Sequence, residues 1–341
     1  MPLTEDSLRV AIAGAASFRG QDLKLWLEES GFPAGEVRLF DEEPVAGTLT
    51  GVAGEAAVIQ SIDDFSFKGL RFVFFTGSRA FAKQHGPAAI QAGATVIDLT
   101  GELAGVPGAR RWIPRLDALV APPVSTGGAG PLDRICMAPT TPAIVACSFS
   151  CALREFKPAR LVMIFFQPVS ERGRAGVEEL EGQMVKLLSL QPIPQEVFDC
   201  QVAFNMLDRW GAESPERLAD ARAGIGQEVQ DYLGGRAPIP AINLVQAPVF
   251  YGHTFSAYAE FDQPPDLTDL FARLDAAGFR SVAEEDPGPS NTSVAGEPQA
   301  IITGAVRDPG VPQAYWFWGA ADNLRLATAN ATQIAEKLLV A

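Results

Sequence analysis

In the first hundred residues short apolar runs alternate with amphipathic segments, and that alternation constrains the fold more than any other feature. Leu8–Ala13 is an apolar run that ends at Gly14. Gln21–Ser30 carries Leu23, Leu25, Trp26 and Leu27 and closes at Gly31, which predicts a helix. Val37–Phe40, Phe72–Phe75 and Thr95–Leu99 are further strand candidates, with a helix predicted through Ala80–Ala92. Strands separated by crossover helices pair in parallel, so the pattern predicts a parallel sheet with helices on both faces.

The pattern changes at 121–132, APPVSTGGAGPL, a Pro/Gly stretch of the kind found at domain boundaries. Beyond it lie the apolar strand candidates Leu161–Phe166, Ile242–Phe250, Ile301–Val306 and Tyr315–Trp318. Few helices interrupt them, which predicts an α+β domain with a large, mostly antiparallel sheet. Such a sheet often packs against a copy of itself, so a homodimer is expected. Asp322–Val340 carries Leu324, Leu326, Ala329, Ile334, Leu338 and Leu339 at helical spacing, as a closing helix of the first domain would. The expected division is 1–132, completed by helix 320–341, and 133–319. At 341 residues each part is long enough to bury its own core.

The charge balance is acidic, 41 Asp+Glu against 27 Lys+Arg, which repels phosphate backbones and makes nucleic acid an unexpected partner. No apolar run reaches bilayer length, and MPLTEDSLRV carries acids where a signal peptide carries bases. A cytoplasmic protein without a membrane association is expected. Cys136, Cys147, Cys151 and Cys200 form no CxxC pair, consistent with reduced thiols. The only histidines, His85 and His253, lie far from any cysteine in sequence, so no metal site is expected.

The first strand–helix turn reads Gly14-Ala15-Ala16-Ser17-Phe18-Arg19-Gly20. A dinucleotide fold needs glycines here so that the backbone turns tightly and meets the pyrophosphate at a helix N-terminus. Gly14 and Gly20 keep the outer positions, while Ser17 replaces the middle glycine. Asp41 closes the second strand roughly 20 residues on, where an acid binds the ribose hydroxyls of NAD and repels the 2′-phosphate of NADP. Asp41, Glu42 and Glu43 read equally well as a solvated surface turn. NAD or NADP is the expected cofactor, with Asp41 tilting the choice towards NAD.

Ala203-Phe204-Asn205, Pro248-Val249-Phe250-Tyr251-Gly252-His253 and Asp322-Asn323-Leu324-Arg325 with Gln333-Ile334-Ala335-Glu336 resemble the aspartate-semialdehyde dehydrogenase family. So do Gln167-Pro168-Val169-Ser170, Gly173-Arg174-Ala175-Gly176 and Glu178-Glu179-Leu180. Order and spacing together carry the likeness across nearly the whole chain. Within the family it is greatest to the Usg-type paralogues, which lack the full catalytic set. The resemblance implies a Rossmann-like NAD(P)-binding domain and an α+β dimerisation domain with a large mixed or antiparallel sheet. It also implies a cofactor site at Gly14, Ser17, Phe18, Gly20, Asp41, Thr76, Gly77 and Asn323. In the family a cysteine thiolate attacks the aldehyde, a histidine serves as acid–base and hydride passes to NADP. Phosphate then displaces the acyl group from the thioester. His253 matches the histidine, and Gln167 is the retained catalytic glutamine.

The departures fall on the chemistry. Counted without gaps from Gln167 back to Ile135, the Asn-Cys-Ser/Thr triplet of the family falls on Pro139-Thr140-Thr141, so Thr140 stands at the nucleophile position. A shift of one residue places Pro139 there, and neither side chain forms a thioester. Thr140 or Thr141 reads as the cap of a helix that begins at Pro142, and the hydroxyl has no dedicated base in sequence. Cys136 and Cys147 read as small buried apolar residues rather than replacements. Gln246 stands where the family arginine grips the substrate carboxylate, and an amide cannot form that bidentate ion pair. The amine- and phosphate-binding residues fall on Ala221, Arg222 and Gly224, and the phosphate-binding arginine near Ala104, before Arg110 and Arg111. Lys83 follows the Thr76 turn.

Three functions follow. The first is a catalytically altered or inactive paralogue, with or without NAD(P) binding, that acts through association with itself or another protein. The second is an active NAD(P)-linked oxidoreductase on a different aldehyde-type small molecule. The third, genuine aspartate-semialdehyde dehydrogenase activity, needs a rescuing cysteine and ranks last.

Overall fold

The computed structural model describes residues 8–43, 45–52, 55–120, 134–283 and 286–340. They gather into two compact units. The first holds the described residues up to Pro114, those of 134–139 and those from Ala327; the second holds 115–120 and 140–326. The Pro/Gly stretch 121–132 lies outside the described residues, as does most of MPLTEDSLRV.

The first unit runs β1 (Arg9–Ala13), α1 (Phe18–Glu29), β2 (Glu36–Phe40), a hairpin of β3 (Leu49–Val52) and β4 (Glu55–Val58), then β5 (Phe72–Phe75), α2 (Arg79–Gln91), β6 (Thr95–Asp98), β7 (Arg110–Arg111) and β8 (Ile135–Met137). The sheet order is β2-β1-β5-β6-β8-β7, and every pair is parallel. A parallel sheet covered on both faces needs apolar side chains in both directions, and β1 and β5 supply them. Val10, Ile12, Phe72 and Phe74 pack with Leu23 and Leu27 of α1 and with Ile334 and Ala335 of the C-terminal segment. Ala11, Ala13, Val73 and Phe75 pack on the opposite face with Phe81, Ala82 and Ala89 of α2. Helix α1 starts at Phe18 rather than Gln21 because Ser17, in an extended conformation, accepts the Gly20 amide and caps it.

The second unit runs α3 (Thr141–Leu153), β9 (Arg160–Gln167), α4 (Gly173–Leu188), α5 (Leu218–Leu233), β10 (Ala241–Gln246), β11 (His253–Glu260), α6 (Leu267–Ala276), β12 (Phe279–Ser281), β13 (Ala300–Arg307) and β14 (Ala314–Ala321). Helix α7 (Arg325–Val340) closes the chain. The sheet order is β10-β9-β11-β14-β13-β12. Its two outer pairs are parallel and its inner pairs antiparallel, so the sheet is mixed. The expected strand Ile242–Phe250 stops at Gln246, because Pro248 has no amide proton for a ladder. Asp322 accepts the Leu324 and Arg325 amides, so α7 begins at Arg325.

Strand alternation gives this sheet two different faces. One buries Met163, Phe165, Phe255 and Phe317 against Phe149 of α3, whose thirteen residues are all buried. The other carries Ile164, Phe166, Ser256, Tyr258, Trp316 and Trp318. Phe166 and Trp318 have ring centroids 5.9 Å apart, and Tyr258 and Trp316 4.9 Å apart. Both tryptophans are exposed, at 40% and 39%.

Candidate active site

Strand β1 lies between β2 and β5, so the strand order reverses at the β1/β5 pair. In open sheets of this kind a dinucleotide lies beyond the carboxyl ends of the strands at that reversal. The turn after β1 sits there. Gly14 has φ of 97°, and a Cβ on it would stand 2.2 Å from the Gly77 nitrogen, so the two turns touch through backbone alone. A Cβ on Gly20 would stand 2.2 Å from the Gly14 oxygen. Ser17 Oγ is 2.9 Å from the Gly20 nitrogen and 2.7 Å from the Gly14 oxygen. Thr76 donates to the Gly14 carbonyl at 3.0 Å. Phe18 opens α1.

Asp41 is not part of a solvated turn. It is buried, and its carboxylate accepts the Ala16 amide at 2.7 Å and the Glu42 amide at 2.8 Å. It braces the first turn from the end of β2, while Glu42 and Glu43 face solvent. Glu42 accepts the Ser78 hydroxyl at 2.6 Å. A helix N-terminus, a left-handed glycine and a carboxylate at the end of β2 together fit a dinucleotide. Lys83 is an exposed residue 3.8 Å from Glu102, outside this group.

The chemistry-bearing positions of the second unit are each closed by an internal partner. Thr140 occupies the N-cap position of α3, yet its hydroxyl caps no amide. It donates to Glu228 Oε2 at 2.6 Å, and the Thr140 amide donates to the same oxygen at 2.9 Å. Thr140 therefore holds the expected cap position without a side-chain cap bond, and its hydroxyl faces a carboxylate instead. Helix α3 opens at Thr141, one residue before Pro142, and Thr141 donates to the Asn323 carbonyl at 3.0 Å. Glu228 comes from α5 and is buried.

Gln167 ends β9 and Gln246 ends β10, and the two are register partners. Gln167 Nε2 is 3.4 Å from Gln246 Oε1, and the Trp210 indole nitrogen is 3.3 Å from the same oxygen. Gln246 Nε2 donates to the Gln167 and Ala247 carbonyls at 3.0 Å each. Gln246 is 0% exposed, so its amide is consumed internally. His253 starts β11, with Nε2 3.3 Å from Glu171 Oε1. Asn323, expected at the cofactor, accepts the Gly252 amide at 2.8 Å and donates to Ser170 and Glu171 at 3.1 Å each.

The remaining candidates carry no such arrangement. Ala221, Arg222 and Gly224 lie on α5, with Arg222 bonded to Asn243. Ala104 is exposed, and the Arg110 guanidinium stacks on Trp112. Cys136 and Cys147 are fully buried and in no disulfide, and burial pushes Cys151 up to about 12. Among the described residues no group of three or more His, Cys, Asp or Glu could hold a metal. No helix there is long and apolar enough to cross a membrane.

Residues 9–118 match the model of the semialdehyde dehydrogenase NAD-binding domain, and residues 152–326 that of the semialdehyde dehydrogenase dimerisation domain. A USG-1 protein homolog of Azotobacter vinelandii is 31% identical over 340 residues, 98% of this chain and 98% of the relative. The chain belongs to the aspartate-semialdehyde dehydrogenase family. Aspartate-semialdehyde dehydrogenase 2 of Vibrio cholerae is 27% identical over 97% of both chains. The crystal structure of aspartate semialdehyde dehydrogenase II from Vibrio cholerae shares the fold, with a TM-score of 0.86 at 24% identity over 98% of this chain and 99% of that one.

With the family's NAD-binding domain established, the residues that sequence reasoning missed are Glu228, Glu171 and Trp210. Glu228 is 88 residues from Thr140, and no local spacing links them. Glu171 lies between two strings that carry the likeness, Gln167–Ser170 and Gly173–Gly176. An acid there was the available signal.

Proposed function

We propose that this family member no longer performs thioester chemistry, keeps a dinucleotide site that prefers NAD, and works as a homodimer. The observation that carries the reading is the Thr140–Glu228 pair: position 140 has no thiol, and its hydroxyl and amide are both held by one carboxylate. A threonine hydroxyl is far too weakly acidic to replace a thiolate. The closed Gln167–Gln246–Trp210 group supports the same reading, because no cation stands at 246 to hold a substrate carboxylate. A second reading, an NAD(P)-linked oxidoreductase on another aldehyde, draws on the retained His253 and Gln167.

The NAD preference rests on Asp41 and on Glu42 beside Ser78, since a 2′-phosphate would meet two carboxylates at the end of β2. Calorimetric titration is expected to give heat with NAD and at least about tenfold weaker binding of NADP. Tighter NADP binding would refute this preference, and no binding of either would remove the dinucleotide function. Steady oxidation of aspartate semialdehyde with phosphate by the unaltered protein would overturn the loss of thioester chemistry.

The homodimer is assigned to the open aromatic face of the second sheet, in the unit that matches a dimerisation domain. Exposed aromatics on a flat sheet face are what a self-complementary interface buries. Trp318→Glu is expected to shift the protein from dimer to monomer in sedimentation velocity with its circular dichroism intact. An unchanged dimer would move the interface elsewhere.

A further inference from the structure

His253 is 1% exposed, and each of its ring nitrogens has a distinct environment. Nε2 faces Glu171 Oε1 at 3.3 Å, whereas Nδ1 is buried with no hydrogen-bond partner. A proton on Nδ1 would be a buried donor without an acceptor, while a proton on Nε2 points at a carboxylate. The proton therefore belongs on Nε2.

The carboxylate is itself held in place. Glu171 Oε1 also receives the Asn323 side-chain amide at 3.1 Å, and Asn323 Oδ1 accepts the amide of Gly252, the residue before His253. Asn323 thus ties the backbone beside the histidine to the acid that faces its ring. The ring edge lies over Phe165, with centroids 6.4 Å apart and planes at 87°, which limits its rotation.

We infer that Glu171 is a positioning residue that fixes His253 with its proton on Nε2 and withdraws that nitrogen from proton exchange with a bound substrate. The inference rests on the proposed function only in placing His253 at the family's acid–base position; the pairing rests on geometry. It accounts for a retained histidine in a chain without the nucleophile. The imidazole serves as a donor inside the second unit, and its Nε2 proton is committed to Glu171.

Nitrogen-15 NMR of the ring nitrogens tests this, because the chain has two histidines and the less buried His85 serves as the internal reference. His253 is expected to show a protonated Nε2, a bare Nδ1 and a ring proton that exchanges slowly with water. In Glu171→Ala that exchange is expected to quicken at least about tenfold. Glu171→Gln is expected to keep it slow, because the amide oxygen can still accept. Diethyl pyrocarbonate should modify His85 and spare His253 in the unaltered protein, and reach His253 in Glu171→Ala. A proton on Nδ1, or equal exchange rates in the unaltered protein and Glu171→Ala, would overturn the inference. Should Glu171→Ala fail to fold, the proton position in the unaltered chain still decides. None of these readouts requires nucleotide or turnover, so their failure would leave the proposed function standing.

Discussion

Thr140→Cys is expected to restore no phosphate-dependent oxidation of aspartate semialdehyde, and its new thiol is expected to titrate above the ordinary cysteine range. The cause is Glu228, whose Oε2 lies 2.6 Å from the Thr140 hydroxyl and 2.9 Å from its amide. A sulfur in the hydroxyl's place would have to ionise beside a carboxylate. Two like charges about 4 Å apart at an effective dielectric near 20 repel by about 4 kcal/mol, roughly three pKa units. The N-terminus of α3 returns only about 0.3–1 kcal/mol in favour of the thiolate, so repulsion wins. The pH dependence of iodoacetamide alkylation measures this in a Cys200→Ser background, where the other three native thiols are buried. Adding Glu228→Gln removes the like charge, and the midpoint should fall by at least about one unit. A midpoint for Thr140→Cys below about 8.5, the free-thiol value, would show that Glu228 does not govern this position.

The Thr140–Glu228 pair also marks the limit of what was legible in the sequence. The N-terminal unit was legible because its signals are local: continuous apolar strands at β1 and β5, helical spacing in α1, and glycines at the first turn. The small hairpin β3–β4 was not, since Leu49–Val58 is rich in Gly and Ala and carries little alternation. Thr140 and Gln246 stand out in the sequence as departures from the family pattern that the chain resembles. The partners of these two side chains could not be read, because Glu228 and Trp210 reach Thr140 and Gln246 across 88 and 36 residues of chain. Asp41 shows the same limit. Its position at the end of β2 was evident, but its bond to the Ala16 amide depends on how the turn folds back over the strand end. At all three positions the side chain is held by internal hydrogen bonds, and only tertiary structure reveals those.

Gln246→Arg, which puts a cation where the resemblance places the family's carboxylate-binding arginine, is expected to destabilise the protein by about 3–5 kcal/mol and to confer no substrate binding. Gln246 has no exposed surface, and its four hydrogen-bonding contacts are to Gln167, Trp210 and Ala247. All of these are neutral groups, so a guanidinium there would be a buried charge without a counter-ion among them. It is also longer than the amide, and Trp210 and the β9–β10 ladder confine the space it would need. Gln246→Leu separates the two contributions. It leaves the Trp210 indole and the Gln167 amide without their acceptor and should cost about 2–4 kcal/mol, with no added charge. Urea denaturation of the three proteins reads the difference directly: arginine should be the least stable, leucine intermediate. If Gln246→Arg were as stable as the unaltered chain, the site would have both room and a counter-ion for the cation. The family's carboxylate grip would then be one substitution away. On the geometry it is further than that, because seating an arginine there also requires moving Trp210 and releasing Gln167.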